Sequence, residues 1–190
     1  MGPRFEPERA HLFFNFLILL LMPITPAYNM GVEVPKFRIY QIEEIDFDWL
    51  NECRNLVRDY LHNSNYFTKE QTFNFLLDNK DNYWIVSLND NRIAYIRSVI
   101  DHKLNAIMIG LDIHPTYQGK RYSKHIYRKF MKMMYDKYDI KNYYLRVLKF
   151  NTKAINLYLT YGFVVIEQTD IDFLMTYTYK DECHEGLKVE

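Results

Sequence analysis

The sequence predicts a mixed α/β fold in which a mostly antiparallel sheet is flanked by helices. Strand-like and helix-like segments alternate from residue 36 onward, in the order β-α-α-β-β-β-α-β-α-β-β. Two strand-like runs flank Asn89-Asp90-Asn91, and these residues tolerate the positive φ angles of a tight hairpin turn. The hydrophobic fraction of 48% is sufficient for a packed core. Together these observations favour one α/β domain.

The first half of this domain contains a strand, two helices and the hairpin. The segment "KFRIYQI" reads as a strand, and "FDWLNECRNLVRDYLHN" has the apolar spacing of an amphipathic helix. In "FTKEQTFNFLLDN", Thr68 stands three residues before Gln71, which is the signature of a capping box and predicts a second helix. The first helix is expected to bury one face, formed by Trp49, Leu50, Cys53, Leu56, Val57, Tyr60 and Leu61.

The second half contains four strands and two helices. "NAIMIGLDIHP" predicts a strand that ends at Pro115, and "KRYSKHIYRKFMKMMYDKY" predicts a helix with one buried face. "KNYYLRVLKFN" is a further strand, and "TKAINLYLTYG" is a short helix closed by Gly162. "FVVIEQ" and "DIDFLMTYTY" complete the sheet. The buried face of the long helix is formed at four-residue steps by Tyr122, Ile126, Phe130 and Met134.

Composition excludes several classes of function. The 24 basic and 24 acidic residues cancel, whereas nucleic-acid-binding proteins normally carry a net basic surface. Cys53 and Cys183 lie far apart and lack metal-ligand spacing, so we expect two reduced thiols in a cytoplasmic protein. The six histidines form no metal-binding motif. We therefore expect neither a nucleic-acid partner nor a metal.

An apolar run distinguishes the N-terminal segment. Residues 12–25 would form a helix of roughly 21 Å, shorter than the hydrocarbon core of a bilayer. Four alternatives remain open: a membrane-surface anchor, a secretion signal, a disordered extension, and a translation start at Met22 or Met30. We therefore divide the chain into an extension (1–35), a domain (36–182) and a C-terminal tail (183–190). Membrane association is expected only through residues 12–25.

The corner after the strand "IMIGLDI" has the composition of a phosphate site. The first four N–H groups of a helix lack intrahelical partners, and the helix dipole adds positive potential there. A phosphate uses both when the backbone is accessible, which favours glycine and small residues. The candidate phosphate-binding residues follow one another in the sequence: Gly119, Lys120, Arg121, Tyr122, Ser123 and Lys124.

Two longer patterns resemble the acyl-CoA motifs of the GNAT superfamily, the acetyl-CoA-dependent N-acetyltransferases. "LDIHPTYQGKRYS" is similar to the strand, proline and Q/R-x-x-G-x-G/A pattern of that family. "LRVLKFNTKAINLYLTYGF" is similar to its N-x-x-A-x-x-L-Y-x-x-x-G-F motif. The resemblance covers residues 36–180 in element order and implies the acyl-CoA N-acyltransferase (GNAT) fold. Six positions of the second motif are in register: Asn151, Ala154, Leu157, Tyr158, Gly162 and Phe163.

The phosphate loop departs from the family pattern at two positions. Arg121 stands where the family usually has a glycine, and Ser123 replaces a glycine or alanine. We expect Arg121 to keep a negative φ and to turn its guanidinium toward a phosphate, which it can bind bidentately. The alternative is a reshaped loop that binds more weakly.

The resemblance also assigns roles to residues outside this loop. It implies that the backbone of Leu111, Asp112 and Ile113 holds the cofactor arm and the acetyl oxygen, in a cleft where this strand separates from the next. Tyr158 matches the tyrosine that protonates the departing CoA sulfur. Asn151 would both cap its helix and contact the cofactor.

The general base remains open. Where some family members carry a glutamate, this chain has Arg146, which cannot accept a proton. The polar residues expected near the cleft are Asp112, His102, Asp101 and Glu43. Water is a further alternative.

The expected reaction is direct attack of a primary amine on acetyl-CoA within a ternary complex. The loop "LHNSNYFT" between the first two helices, with His62, Asn63, Asn65 and Tyr66, is expected to bind a small polar amine such as an amino sugar. The alternatives are a protein N-terminus or lysine and, in another class, a non-catalytic acyl-CoA-binding regulatory module. Retention of Tyr158 argues against the last. We expect a monomer or homodimer.

Overall fold

The structure is a computed structural model that describes residues 35–180. The apolar run 12–25, the alternative starts at Met22 and Met30, and Cys183 lie outside the described residues. The boundaries proposed for the N-terminal extension and the C-terminal tail therefore stay predictions. Between residues 35 and 180, no helix has both the length and the hydropathy needed to cross a membrane.

A seven-stranded sheet of order β1-β2-β3-β4-β5-β7-β6 forms the centre of the domain. Neighbouring strands are antiparallel except β4 and β5, which are parallel. The predicted element order and the mostly antiparallel sheet are confirmed. The strands are β1 (Phe37–Gln41), β2 (Tyr83–Leu88), β3 (Asn91–Asp101), β4 (Ala106–Ile113), β5 (Asn142–Leu148), β6 (Val164–Gln168) and β7 (Asp172–Thr178).

Four α-helices pack on this sheet, and local sequence determines where they begin and end. Thr68 caps the second helix by accepting a hydrogen bond from Gln71 N at 3.1 Å, as the capping box predicts. The last helix ends at Gly162, which has φ of 107°. The helices are α1 (Phe47–Val57), α2 (Lys69–Asn79), α3 (Tyr122–Tyr138) and α4 (Thr152–Tyr161).

The first helix is shorter than predicted. It ends at Val57 and continues as the 3-10 turn Arg58–Tyr60. Leu56 and Tyr60, both predicted on the buried face, have 54% and 53% of their surface exposed. The prediction was wrong at these two positions because the buried stripe of α1 is narrow and the chain leaves the helix before Tyr60.

The hairpin turn forms as predicted. Asn89 and Asp90 have φ of 50° and 61°, which gives a two-residue turn with positive φ at both positions. The turn sets the register of β2 against β3, so that Leu88 pairs with Asn91.

The central strands of the sheet are buried on both faces. One face packs against α1 and α2 through a cluster that includes Leu50, Cys53, Leu76 and Tyr95. The other face carries the larger cluster, which is centred on α3. Three of the four predicted contacts of that helix are buried, and Tyr122 is half-buried. The fully buried side chains contributed by α3 are Ile126, Tyr127, Phe130, Met131 and Met134.

The parallel pair β4–β5 separates soon after it begins. Ala106, Ile107 and Met108 pair with residues 142–144, and no register continues beyond them between these two strands. From Ile109 onward β4 stays paired only with β3, while β5 stays paired with β7. The two strands therefore enclose a V-shaped cleft. Such a cleft beside β4 is what the family resemblance implied.

Candidate active site

Three adjoining cavities follow the cleft between β4 and β5. The first, of about 380 Å³, lies at the N-terminus of α3, and we call it the donor cavity. The second, of about 110 Å³, lies between the separated strands and is called the cleft cavity. The third, of about 330 Å³, lies between α1, α2 and the sheet and is called the acceptor cavity. Tyr158 lines the first two, and His62 and Arg97 line the last two.

The donor cavity collects the residues that the sequence predicted for cofactor binding. Lys124 is the exception, because it is not among the lining residues of the cavity. Gly119 has φ of 75°, and a Cβ placed on it would meet nothing within 4 Å, so its backbone is openly accessible. The predicted residues that line the cavity are Leu111, Asp112, Ile113, Gly119, Lys120, Arg121, Tyr122, Ser123, Asn151 and Tyr158.

The N-terminus of α3 differs from the other helix starts at this site. The side chain of its N-cap residue, Arg121, makes no capping hydrogen bond. By contrast, Asn151 caps α4 by accepting from Ala154 N at 3.2 Å. The side chain of Arg121 therefore does not cap the first-turn amides of α3. Lys120 lines the donor cavity beside this helix start.

Arg121 adopts the left-handed conformation, with φ of 61° and ψ of 20°. The expectation of a negative φ was wrong. The loop keeps a backbone conformation that glycine adopts freely, and the arginine takes on the steric cost of that conformation. Its side chain is exposed and lines the donor cavity.

The backbone of β4 alternates between β3 and the cleft. His114 N donates to Ile93 O at 2.9 Å, so alternation along the antiparallel ladder directs the main-chain groups of Asp112 toward Tyr95 of β3. Those of Leu111 and Ile113 point the other way, and Ile113 O accepts from Gln118 Nε2 at 2.9 Å. Only Leu111 and Ile113, of the three predicted backbone contacts, therefore face the cleft.

The side chain of Asp112 forms an ion pair with Arg97 on the neighbouring strand β3. Its Oδ2 lies 3.0 Å from Nη2 of Arg97, and this carboxylate raises the pKa of Arg97. The guanidinium crosses Gly110, where an added Cβ would lie 2.8 Å from Nη2 of Arg97. Gly110 thus makes room for this ion pair, whose Arg97 lines both the acceptor cavity and the cleft cavity.

Tyr158 projects from α4 toward the cleft and packs on a second tyrosine. Tyr127 on α3 donates to the hydroxyl oxygen of Tyr158 at 3.4 Å, and the two rings meet edge to face at 6.1 Å. Because Tyr127 donates, the hydroxyl hydrogen of Tyr158 is available to another acceptor. Burial raises the pKa of Tyr158, so the phenol stays protonated at neutral pH. The sequence pattern did not single out Tyr127.

The cleft cavity is also lined by His62 and Arg146, which belong to a polar cluster. Nε2 of His62 lies 2.8 Å from Oδ2 of Asp172, a buried residue at the start of β7. Arg146 Nη1 lies 3.2 Å from the other oxygen of Asp172, and Arg146 also pairs with Glu167 at 3.4 Å. Arg146, in the position of the absent glutamate, therefore takes part in an ion-pair network.

The other residues considered as general base lie elsewhere. His102 lines a separate cavity at the opposite end of the sheet. Asp101 accepts hydrogen bonds from the backbone of Lys103 and Leu104 in the β3–β4 turn. Glu43 precedes the 3-10 turn Glu44–Asp46, and its backbone N–H donates a hydrogen bond to Asp46 Oδ2. Among residues 35–180, no cluster of His, Cys, Asp or Glu could hold a metal ion.

The acceptor cavity lies where the loop between α1 and α2 was expected to contribute. His62 and Asn63 line it, whereas Asn65 and Tyr66 do not. Arg54 holds this loop by donating to the carbonyl oxygens of Asn63, at 2.6 Å, and Asn65. Seven lining residues are apolar or aromatic: Leu50, Leu61, Phe67, Phe75, Leu76, Tyr83 and Tyr95.

Solved structures that superpose on this chain include N-acetyltransferases. A spermidine N-acetyltransferase from Vibrio cholerae, in complex with CoA and spermine, is 17% identical and superposes with a TM-score of 0.68, covering 75% of this chain and 95% of its own. A putative acetyltransferase from Salmonella typhimurium with its cofactor acetyl-CoA is 13% identical, with a TM-score of 0.62 and coverages of 77% and 95%. A domain from Methanocaldococcus jannaschii is 18% identical, with a TM-score of 0.66 and coverages of 77% and 100%.

Sequence comparison gives the family. No curated protein matches the chain. The family model described as "Acetyltransferase (GNAT) family" matches residues 39–163, a range that runs from β1 to the end of the second motif and includes the separated strands, the α3 corner and Tyr158. The predictions of family, fold and enzyme class are confirmed. With the motifs, the cleft and this match in agreement, the chain belongs to the acetyltransferase (GNAT) family.

Proposed function

We propose that this acetyltransferase moves the acetyl group of acetyl-CoA directly to a small primary amine whose remainder is neutral or anionic. Amino sugars and amino acid-like metabolites belong to this class. The observation that carries the proposal is the sequence of three cavities, in which the cleft cavity joins the other two. Amine and thioester can therefore meet without a covalent intermediate on the protein.

The donor cavity fits the phosphates and arm of acetyl-CoA. The open backbone at Gly119, the amides at the start of α3 and the cations Lys120 and Arg121 suit a pyrophosphate. The cleft-facing backbone of Leu111 and Ile113 suits the amide groups of the pantetheine arm. When bound, acetyl-CoA supplies the thioester that the amine attacks.

Tyr158 supplies the proton that the departing sulfur needs. Its hydroxyl accepts from Tyr127, and burial raises its pKa, so the group is a neutral donor at pH 7. A phenol that keeps its proton at neutral pH can pass that proton to the sulfur as the C–S bond breaks, balanced by the proton that the attacking nitrogen loses. Tyr158 is therefore assigned as the general acid of the proposed reaction.

The positive charge of the acceptor cavity favours an amine whose remainder is neutral or anionic. Arg54 and Arg97 line it, and none of the described residues on its wall is a carboxylate. A polyamine would bring a second ammonium group toward these cations without an anionic partner. The substrate named for the Vibrio cholerae relative is therefore not the acceptor we propose for this chain.

An amine panel with acetyl-CoA, followed by thiol release, tests the acceptor class. We expect kcat/KM for glucosamine or a free amino acid to exceed that for spermidine by roughly tenfold or more. The variant Phe75→Glu places a carboxylate on the cavity wall and should raise the relative rate with spermidine. Leu77→Glu is the matched control, since Leu77 is on the same helix and similarly exposed but does not line the cavity. Preference of the wild type for spermidine, or for peptides, would contradict the proposal.

Substitutions at Arg121 separate backbone strain from phosphate binding. Arg121→Gly should raise the free energy of unfolding by about 0.5–1 kcal/mol, because glycine adopts φ of 61° without steric cost. It should also weaken CoA binding roughly threefold or more through the lost guanidinium. Arg121→Ala should weaken binding equally without the gain in stability. Urea titration and calorimetry with CoA measure both effects, and unchanged CoA affinity in either variant would remove Arg121 from the donor site.

A further inference from the structure

His62 lies at the junction of the acceptor and cleft cavities and lines both of them. Its partner Asp172 is only 4% exposed and is held by three side chains. Thr169 Oγ1 donates to Oδ1 at 2.6 Å, Arg146 Nη1 lies 3.2 Å from the same oxygen, and His62 Nε2 lies 2.8 Å from Oδ2. A buried carboxylate is thus fixed in place behind an imidazole that borders both cavities.

This contact determines which nitrogen of His62 can accept a proton. The hydrogen bond from Thr169, with those of His62 and Arg146, lowers the pKa of Asp172, so the group is a carboxylate at neutral pH. A carboxylate only accepts hydrogen bonds, so Nε2 of a neutral imidazole must carry the hydrogen. Nδ1 then keeps its lone pair, which is the arrangement that a base requires.

We propose that His62 is the general base of the acetyl transfer and that Asp172 is the positioning residue that sets its tautomer. This inference rests on the proposed function and adds the residue that the sequence left open. The side chain of His62 is 42% exposed, so a proton taken from the amine can pass on to solvent.

The protons of this step balance. An alkylammonium acceptor has to lose two protons as the N–C bond forms and the C–S bond breaks. His62 Nδ1 takes the first, which frees the nitrogen lone pair for attack, and then releases it to solvent. The second proton, lost as the nitrogen becomes an amide, balances the proton that Tyr158 donates to the sulfur.

Charged and titratable groups on several elements contact His62 or line the two cavities that it borders. They comprise two carboxylates, three guanidinium groups and the phenol of Tyr158. The groups are Asp172 on β7, Asp112 on β4, Arg146 on β5, Arg97 on β3, Arg54 on α1 and Tyr158 on α4.

A pH series of kcat/KM tests the base with the best amine of the panel. His62→Gln should lower kcat at pH 7 by roughly tenfold or more, and the defect should shrink toward pH ~10, where the amine loses its proton unaided. Asp172→Asn should also lower kcat at pH 7, because it removes the carboxylate that fixes the tautomer of His62. Added imidazole should partly restore the rate of His62→Gly. His102→Gln, at the far cavity, is the control and should match the wild type.

Nitrogen NMR of the free protein gives a readout that does not depend on turnover. At pH 8 the ¹⁵N shifts should show His62 protonated at Nε2, and Asp172→Asn should abolish this preference. An Nδ1-protonated ring, or a His62→Gln pH profile that superimposes on the wild type, would overturn the proposal. If the wild type acetylated no amine, the proposed function would fail instead, and the NMR result alone would decide whether the dyad exists.

Discussion

Tyr158→Phe should lower kcat by roughly a hundredfold while leaving the affinity for acetyl-CoA nearly unchanged. The variant keeps the ring that packs edge to face on Tyr127 and lies 5.6 Å from Phe163, and loses only the hydroxyl. Without that proton the sulfur must leave as a thiolate. Steady-state kinetics and calorimetry with acetyl-CoA measure the two quantities separately.

The matched control for this variant is Tyr161→Phe. Tyr161 is on the same helix, and its hydroxyl contacts Met131 Sδ at 3.8 Å, without lining any of the three cavities. We expect its kcat to stay within about twofold of the wild type. Because burial raises the pKa of Tyr158, an alkaline limb due to this group should lie above pH ~10 and vanish in Tyr158→Phe. Unchanged turnover in Tyr158→Phe would remove the general acid from the mechanism.

Phe163→Ala should cost about 3–5 kcal/mol of unfolding free energy. Phe163 is 1% exposed and packs against Tyr158, Tyr177, Tyr127 and Tyr161, with ring centroids 5.2–6.4 Å apart. Its removal opens a cavity among the aromatic rings that pack around Tyr158. Urea unfolding at constant pH gives the change.

Phe150→Ala is the control for burial. Phe150 is 62% exposed and meets one ring, that of Tyr60, at 6.4 Å. Its removal should cost about 0.5 kcal/mol. If Phe163→Ala were equally mild, the packing around Tyr158 would not depend on this ring.

Local patterns in the sequence were sufficient to predict the order of elements. The capping box at Thr68, the positive-φ residues of the Asn89 turn and Gly162 each act within a few residues, so their effects are visible in a linear sequence. The grouping of residues 119–123 along one cavity was predictable for the same reason, because these residues are contiguous in the sequence. The sign of φ at Arg121 was predicted wrongly because the residue type alone does not show that the backbone is left-handed there.

Contacts across the sheet could not be predicted in this way. His62 and Asp172 are 110 residues apart, and their pairing depends on β7 lying next to β5. Arg97 and Asp112 meet only because β3 and β4 share a register that places Gly110 beneath the guanidinium. Tyr127 has the spacing of an ordinary core residue, and only the position of α4 shows that its hydroxyl reaches Tyr158.

The short parallel ladder between β4 and β5 also affects where the domain opens locally. Three residue pairs join β4 to β5, whereas the other neighbouring strands share between four and eight. Local opening follows the regions with fewest hydrogen bonds, so the amides of Leu111 and Ile113 should exchange with deuterium faster than those of residues 94–96. A ligand that spans the gap would act as a cross-brace between two half-sheets, and the slowing of exchange on both sides would report its arrival.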